Sequence, residues 1–173
     1  MLFRSSINFN KMVPDVVQEY TRENKYTDFA SGCAMFFKTD VLKKLKGFDP
    51  YYFMYDEDVE LSIHLAKRGY KILLVPAAVV YHKCQGSQVK QDVLPRNQLD
   101  PKHPGLIFYL GNTIPNRRYT IQKHLQGVRR LQTILFLNGY WLLKSVQFAL
   151  YGNRKAFDIT MKSLFVKRSL PNP

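Results

Sequence analysis

The sequence predicts an α/β domain followed by a region of basic amphipathic helices. Within residues 28–82, extended apolar segments alternate with segments of helical periodicity, which is typical of α/β proteins. Charge also divides the chain near residue 100. Residues 1–100 carry 14 Lys and Arg against 12 Asp and Glu, whereas residues 101–173 carry 12 Lys and Arg against one acid, Asp158. We therefore predict a domain over residues 1–100 and a helical extension over residues 101–173.

The bulk composition is that of a folded protein without a clear membrane-spanning helix. Hydrophobic residues make up 46% of the 173 positions and charged residues 23%, a balance typical of globular rather than disordered chains. Cys33 and Cys84 are too few for a disulfide scaffold and fit a reducing compartment. No stretch offers about eighteen uninterrupted apolar residues, the length that a bilayer requires.

The first predicted elements precede an acidic stretch. The spacing of Val16, Val17 and Tyr20 indicates a short helix over Pro14–Arg22, and the apolar run Cys33–Phe37 is short enough for a buried strand. Thr39 or Asp40 is expected to cap a helix over Val41–Leu45, which ends at Gly47. Asp49-Pro50 predicts a turn.

The next elements are predicted from helix start and stop signals and from β-rich composition. A helix is predicted from Asp56 to Arg68, with Gly69 as its C-terminal stop, because acids fill its first turn and cations its last. Tyr70–Val75 is rich in β-formers, Pro76 ends it, and Ala78–His82 reads as a second short extended segment.

The basic region predicts helices over Leu106–Leu110, Ile121–Leu125 and Leu131–Tyr151, broken by Pro115 and by Gly127. Within the last of these, residues 133–143 form the most apolar run, flanked by Arg129, Arg130 and Lys144, which suits a helix lying in a membrane interface. Two alternatives stay open. One is nucleic-acid binding through Arg and Lys with interleaved aromatics, and the other is a helical hairpin that packs on the body.

Four carboxylates, Asp56, Glu57, Asp58 and Glu60, occupy five positions at the predicted helix start. Acids in a first helical turn stabilise the helix by about 0.3–1 kcal/mol each, so one or two are ordinary. A general base equally requires a carboxylate held near a hydroxyl, with a neighbour that tunes it. The residues alone leave capping and catalysis as equal alternatives.

Two further features have a structural and a functional interpretation. His82 ends a predicted strand, where imidazole is usually structural but can bind a metal or a phosphate-rich ligand. Ser31-Gly32 is most simply a turn, although glycine also lets the backbone approach a sugar or phosphate closely.

Five ordered motifs resemble the C-terminal half of family 2 glycosyltransferases, in particular the rhamnosyltransferase-like branch that builds bacterial surface polysaccharides. They are Ser31-Gly-Cys-Ala-Met-Phe-Phe-Lys, Gly47-Phe-Asp, Tyr55-Asp-Glu-Asp-Val-Glu-Leu, Lys67-Arg-Gly-Tyr-Lys-Ile-Leu-Leu-Val-Pro and Val79-Val-Tyr-His. The resemblance covers about residues 28–87, with the motifs at the expected separations.

The resemblance implies a GT-A fold and inverting transfer of a sugar from a nucleotide-diphosphate donor to a saccharide or lipid-linked acceptor. It implies that Asp58 is the catalytic base, with Glu57 beside it in the acceptor site. Ser31, Gly32 and Asp56 would bind substrate, and His82 would bind a divalent metal, Mg or Mn, or the diphosphate. It also implies a cytoplasmic enzyme at the inner face of the cell membrane, bound to anionic lipid rather than nucleic acid.

One part of the family pattern is missing. The N-terminal half, with its Asp-x-Asp metal motif, has no counterpart ahead of Ser31, so we expect a fragment or a chain completed by a separate one. Two other classes remain open. One is a non-catalytic remnant or interaction module, and the other is a basic membrane- or nucleic-acid-binding protein.

Overall fold

A computed structural model describes the backbone of residues 4–8 and 13–17, and residues 22–81 and 99–165 with their side chains. The chain divides into two compact units, residues 1–82 and 83–173. The strands are β1 (Arg4–Asn8), β2 (Val13–Val17), β3 (Lys25–Thr27) and β4 (Ile72–Leu74). The helices are α1 (Thr39–Leu45), α2 (Glu57–Lys67), α3 (Leu106–His124), α4 (Gly127–Leu150) and α5 (Arg154–Phe165).

The chain opens with a hairpin in place of the predicted helix. β1 and β2 pair antiparallel, with Arg4 opposite Val17 and Asn8 opposite Val13. The helix predicted from Pro14 is therefore wrong over residues 14–17. Valine favours extended backbone, and the ladder to β1 satisfies backbone groups that a short isolated helix satisfies poorly.

The second sheet pairs β3, which precedes α1, with β4, which follows α2. β3 pairs antiparallel with β4, and Tyr26 lies opposite Leu73. β4 confirms the β-rich segment predicted over 70–75, in a shorter form. Residues 78–81 form no strand, and His82, the end of that predicted segment, lies outside the described residues.

The strand predicted at Cys33–Phe37 is wrong. Ala34 N–H donates to the Ser31 carbonyl at 3.1 Å, so this segment begins as a turn. Its side chains still alternate, because Met35 and Phe37 pack on the hydrophobic core while Phe36 is 99% exposed. The apolar run thus correctly predicted that some of these side chains are buried. A strand also requires a hydrogen-bonded neighbour, which an apolar run does not predict.

The two short helices of the first unit are confirmed, and they share its core. Leu45 from α1 packs with Leu61 and Leu65 from α2. α1 begins at Thr39 after Lys38, which makes no side-chain cap, so the predicted capping by Thr39 or Asp40 is wrong. α2 ends before Gly69, whose φ of +76° is the left-handed conformation that glycine favours.

In the second unit α3 runs unbroken through Pro115, contrary to the prediction of a break there. An interior proline costs about 3 kcal/mol because it removes one hydrogen bond and crowds the preceding turn. Burial offsets this cost, since Leu110, Ile114 and Ile121 are fully buried and each contributes about 1.5–3 kcal/mol. The break predicted at Gly127 is confirmed: α4 starts there with φ +57°.

Within the described residues, no helix combines the length and the apolar character needed to cross a membrane.

Candidate active site

The segment before the acids is fixed by a turn and by two buried rings. The side chain of Asp49 accepts from Tyr51 N–H at 2.9 Å, and its carbonyl accepts from Tyr52 N–H at 3.1 Å. This confirms the predicted Asp49-Pro50 turn. The Tyr51 and Tyr52 rings are buried and meet edge to face, with centroids 5.7 Å apart. The entrance to α2 is therefore held by packing as well as by hydrogen bonds.

Two successive residues adopt left-handed backbone immediately before α2. Tyr55 has φ 68° and Asp56 has φ 62°, and neither is glycine. This conformation costs roughly 1–2 kcal/mol for most residues and less for Asp. Asp56 is only 8% exposed and makes no side-chain cap on the helix it precedes. The conventional capping interpretation of the first acid therefore does not describe this structure.

Asp58 is oriented by two backbone amides. Its Oδ2 accepts from Gly32 N–H at 3.0 Å, and its Oδ1 accepts from Val59 N–H at 2.8 Å. The first of these bonds joins residues 26 positions apart. The turn and the acidic helix, which the sequence predicts separately, thus meet at the Asp58 carboxylate.

Gly32 lies against both acids of the Glu57-Asp58 pair. A Cβ built on Gly32 would be 3.6 Å from Glu57 Oε1 and 3.7 Å from Asp58 Oδ2. These are ordinary contact distances, and the backbone of Gly32 is outside the left-handed region. Any longer side chain at this position would cover the carboxylates. Ser31 is exposed beside it and closes the turn through its carbonyl.

Ser62 is a positioning residue that the sequence reasoning missed. Its side chain is fully buried, and its Oγ donates to the Asp58 carbonyl at 2.7 Å. The same Oγ accepts from Ala30 N–H at 3.4 Å. Ser62 therefore links the turn of α2 that bears Asp58 to the chain just ahead of Gly32. The available signal was its place four residues after Asp58, which is one helical turn.

The Glu57 carboxyl is perturbed by its surroundings. Burial raises the pKa of its carboxyl, the neighbouring Asp58 and Asp56 carboxylates raise it further, and its own backbone amide opposes them. Glu57 Oε2 is buried and has no hydrogen-bond partner among the described residues. A buried, unsatisfied carboxylate oxygen costs free energy that a bound hydroxyl or a proton would relieve.

The described residues do not form a metal centre. Across residues 22–81 and 99–165, no three His, Cys, Asp or Glu side chains converge as metal ligands would. The four acids are close in sequence, but their side chains do not gather at one point. Glu60 is 1% exposed, whereas Asp58 and Glu57 lie at a partly open edge. His82, the metal ligand implied by the resemblance, lies outside the described residues.

Comparison with known proteins found a family model and two curated relatives. The family model described as "Glycosyltransferase like family 2" matches residues 10–96, half of the chain. Two curated relatives, from Mycobacterium tuberculosis strains CDC 1551 / Oshkosh and ATCC 25618 / H37Rv, are each 32% identical over 82 residues. Both are named N-acetylglucosaminyl-diphospho-decaprenol L-rhamnosyltransferase.

The similarity covers 47% of this chain and 26% of each relative, so the chain matches about a quarter of their length. No solved structure matches the chain. The family match includes the Ser31-Gly32 turn, both acids of the Glu57-Asp58 pair, and the helix that carries them. The chain belongs to the glycosyltransferase-like family 2.

Proposed function

We propose that this chain forms the acceptor side of an inverting glycosyltransferase in which Asp58 is the general base. The supporting observation is the Asp58 carboxylate, which Gly32 N–H holds at 3.0 Å beside a partly open edge. Each of its oxygens accepts one amide hydrogen and keeps a second lone pair. The carboxylate is thus oriented and still able to accept a proton.

The transfer is a single displacement. An acceptor hydroxyl gives its proton to Asp58 as its oxygen forms a bond to the anomeric carbon of the donor sugar. The bond from that carbon to the diphosphate oxygen breaks, and the nucleoside diphosphate leaves with the electron pair. Attack from the opposite side inverts the anomeric configuration. A positioned base contributes about 10²–10⁴-fold to such a step.

The neighbouring residues have supporting roles in this proposal. Glu57, whose pKa is raised by burial and by adjacent acids, binds the acceptor through the buried oxygen that lacks a hydrogen-bond partner among the described residues. Gly32 leaves room for the reacting hydroxyl, because a side chain there would lie against both carboxylates. In this proposal Ser31, exposed beside Gly32, and Asp56, which precedes Glu57 in the chain, also contact the substrates.

The relatives' name supports a more specific version. Those proteins are named as transferring L-rhamnose to a diphospho-decaprenol-linked N-acetylglucosamine. We propose by analogy a nucleotide-diphosphate sugar donor and a saccharide or lipid-linked acceptor in bacterial surface polysaccharide synthesis. Under this proposal the chain is the C-terminal portion of a GT-A fold, and the donor-binding half comes from a separate polypeptide segment. We also propose a cytoplasmic location at the inner face of the membrane.

A divalent metal, Mg or Mn, remains part of the family expectation. The described residues supply no three-ligand cluster, and the step above states what their side chains do. Any metal would need ligands beyond them, with His82 as the candidate from this chain.

A graft tests the proposal. Residues 10–96, the family-matched segment, replace the corresponding segment of the mycobacterial relative, and sugar transfer to its lipid-linked acceptor is measured. We expect the graft to be active and Asp58→Asn within it to lower kcat at least about 100-fold. Asp40→Asn, an exposed acid in the first turn of α1, is the matched control and should leave kcat unchanged.

Two outcomes would count against the proposal. Equal activity of the graft with and without Asp58→Asn would remove Asp58 as the base. A folded but inactive graft would favour the alternative of a non-catalytic interaction module.

A further inference from the structure

Helix α4 is apolar on two opposite sides. Its buried side consists of Thr133, Leu137, Trp141, Ser145 and Phe148, spaced by three or four residues. This side faces the bundle, where α4 packs with α5 and α3. Residues two positions away from these along the chain lie on the opposite side, because two residues of an α-helix turn about 200°. That opposite side is where a surface helix ordinarily carries polar residues.

The outward side of α4 is instead aliphatic. Six aliphatic side chains are each between 49% and 83% exposed: Leu131, Leu135, Leu143, Val146 and Leu150, which lie two positions from a buried residue, and Leu142, which follows Trp141 at the edge of the same side. From Leu131 to Leu150 they follow about 30 Å of helix. We call these six residues the outer stripe. Exposed apolar side chains that recur over this length of helix mark an interaction site rather than ordinary surface scatter.

The charges around the outer stripe are positive. Arg129 and Arg130 are exposed in the first turn of α4, and Arg154 and Lys155 are exposed in the first turn of α5, just past the opposite end. Asp158 is the only acid in residues 101–173, against 12 Lys and Arg. The stripe is therefore apolar along its length and cationic at both ends.

We propose that the outer stripe of α4 docks on an anionic lipid surface, with the helix lying in the interfacial plane. Such helices bury an apolar face by about 5–10 Å and hold basic residues at the headgroups. Each Lys or Arg near an anionic leaflet adds about 1 kcal/mol of attraction. A second copy of the chain is a poorer occupant. Two such faces in contact would place their cations near one another, and each copy has only Asp158 in residues 101–173 to offset that repulsion.

The inference deepens the membrane location in the proposed function by naming the surface responsible. It is independent of sugar transfer, because its test needs neither donor nor acceptor. Failure of docking would therefore remove the membrane location but leave Asp58 as the proposed base, and failure of transfer in the graft would leave docking untouched.

Vesicle flotation tests the docking surface. The chain is mixed with phosphatidylcholine vesicles that contain or lack phosphatidylglycerol. We expect binding to the anionic vesicles, and at least a tenfold loss in the double variant Leu135→Glu/Leu142→Glu. Phe36→Glu/Tyr81→Glu is the matched control, because it adds the same charge at two nearly fully exposed aromatics of the first unit. It should bind within about twofold of the unchanged chain.

A second variant separates charge from apolar insertion. Arg129→Gln/Arg130→Gln should weaken binding to anionic vesicles about tenfold or more, because each lost cation removes about 1 kcal/mol of attraction. Circular dichroism confirms that each variant is folded.

Three results would overturn the proposal: no binding of the unchanged chain to anionic vesicles, equal loss in the control, or full binding by the Leu135→Glu/Leu142→Glu variant. A dimer that becomes monomeric only in that variant, without any vesicle binding, would identify a second copy as the occupant instead.

Discussion

Enlarging Gly32 is the sharpest probe of the acid pair. In Gly32→Ala the added Cβ lies 3.6–3.7 Å from the two carboxylates, which is ordinary contact. Because the backbone there is not left-handed, the substitution should stabilise the fold by about 0.4–1 kcal/mol, through lost freedom of the unfolded chain. We expect the alanine variant to keep transfer activity within about threefold.

Gly32→Val should behave differently. Its γ carbons lie about 1.5 Å beyond Cβ and fill two of the three staggered positions. A γ carbon directed at the acids would come well inside the usual 3.5–4.0 Å contact distance. Relieving that overlap costs about 1–3 kcal/mol, so kcat/KM should fall roughly 5- to 150-fold.

The measurements are transfer in the graft and the free energy of unfolding in urea. Ala34→Val is the matched control, because it adds side-chain volume at an exposed position of the same turn and lies within the grafted segment. If the valine variant of Gly32 transfers sugar as well as the unchanged protein does, the acceptor does not approach the acids past Gly32.

Three further predictions concern α2. The folded-state pKa of Glu57 is raised, so its stabilising contribution is full below the ordinary value of 4.5 and is lost as pH rises through the raised value. Glu57→Gln should therefore be more stable than the unchanged chain at pH 7 and lose that advantage by pH 4, in urea unfolding at both values. Ser62→Ala should cost about 0.5–1.5 kcal/mol, because the gain in helix propensity cancels the lost bond within the helix while Ala30 N–H loses its acceptor. Its kcat should fall with KM unchanged, and a reduced KM would contradict a positioning role. Leu61→Ala should cost about 3–5 kcal/mol in thermal or urea unfolding, since Leu61 is fully buried. The exposed Leu143→Ala should cost under about 0.5 kcal/mol, and equal costs would contradict the core assignment.

The sequence predicted the elements whose signals are local. α2 carries acids in its first turn and stops at Gly69, and both signals act within a few residues of the helix ends. The sequence did not predict elements whose secondary structure depends on contacts with distant residues. Val13–Val17 becomes a strand because β1 lies alongside it, and α3 continues past Pro115 because packing offsets the lost hydrogen bond.

The candidate site follows the same division. The acids and the Ser31-Gly32 turn are visible as separate motifs, and family resemblance singles out Asp58. The bond from Gly32 N–H to Asp58 and the buried link through Ser62 depend on how the chain returns on itself. Spacing along the chain does not encode such contacts. The left-handed conformation of Tyr55 was equally hidden, since tyrosine carries no signal for positive φ.

The Gly32 amide also has a spectroscopic consequence. Its nitrogen lies 3.0 Å from Asp58 Oδ2, so a group that binds this carboxylate changes the electric field at the amide proton. In a nitrogen–proton correlation spectrum, the cross-peaks of glycine amides lie in a region separate from those of most other residues. The Gly32 cross-peak would thus report directly on the Asp58 carboxylate, and an acceptor bound to that carboxylate would shift it without any turnover.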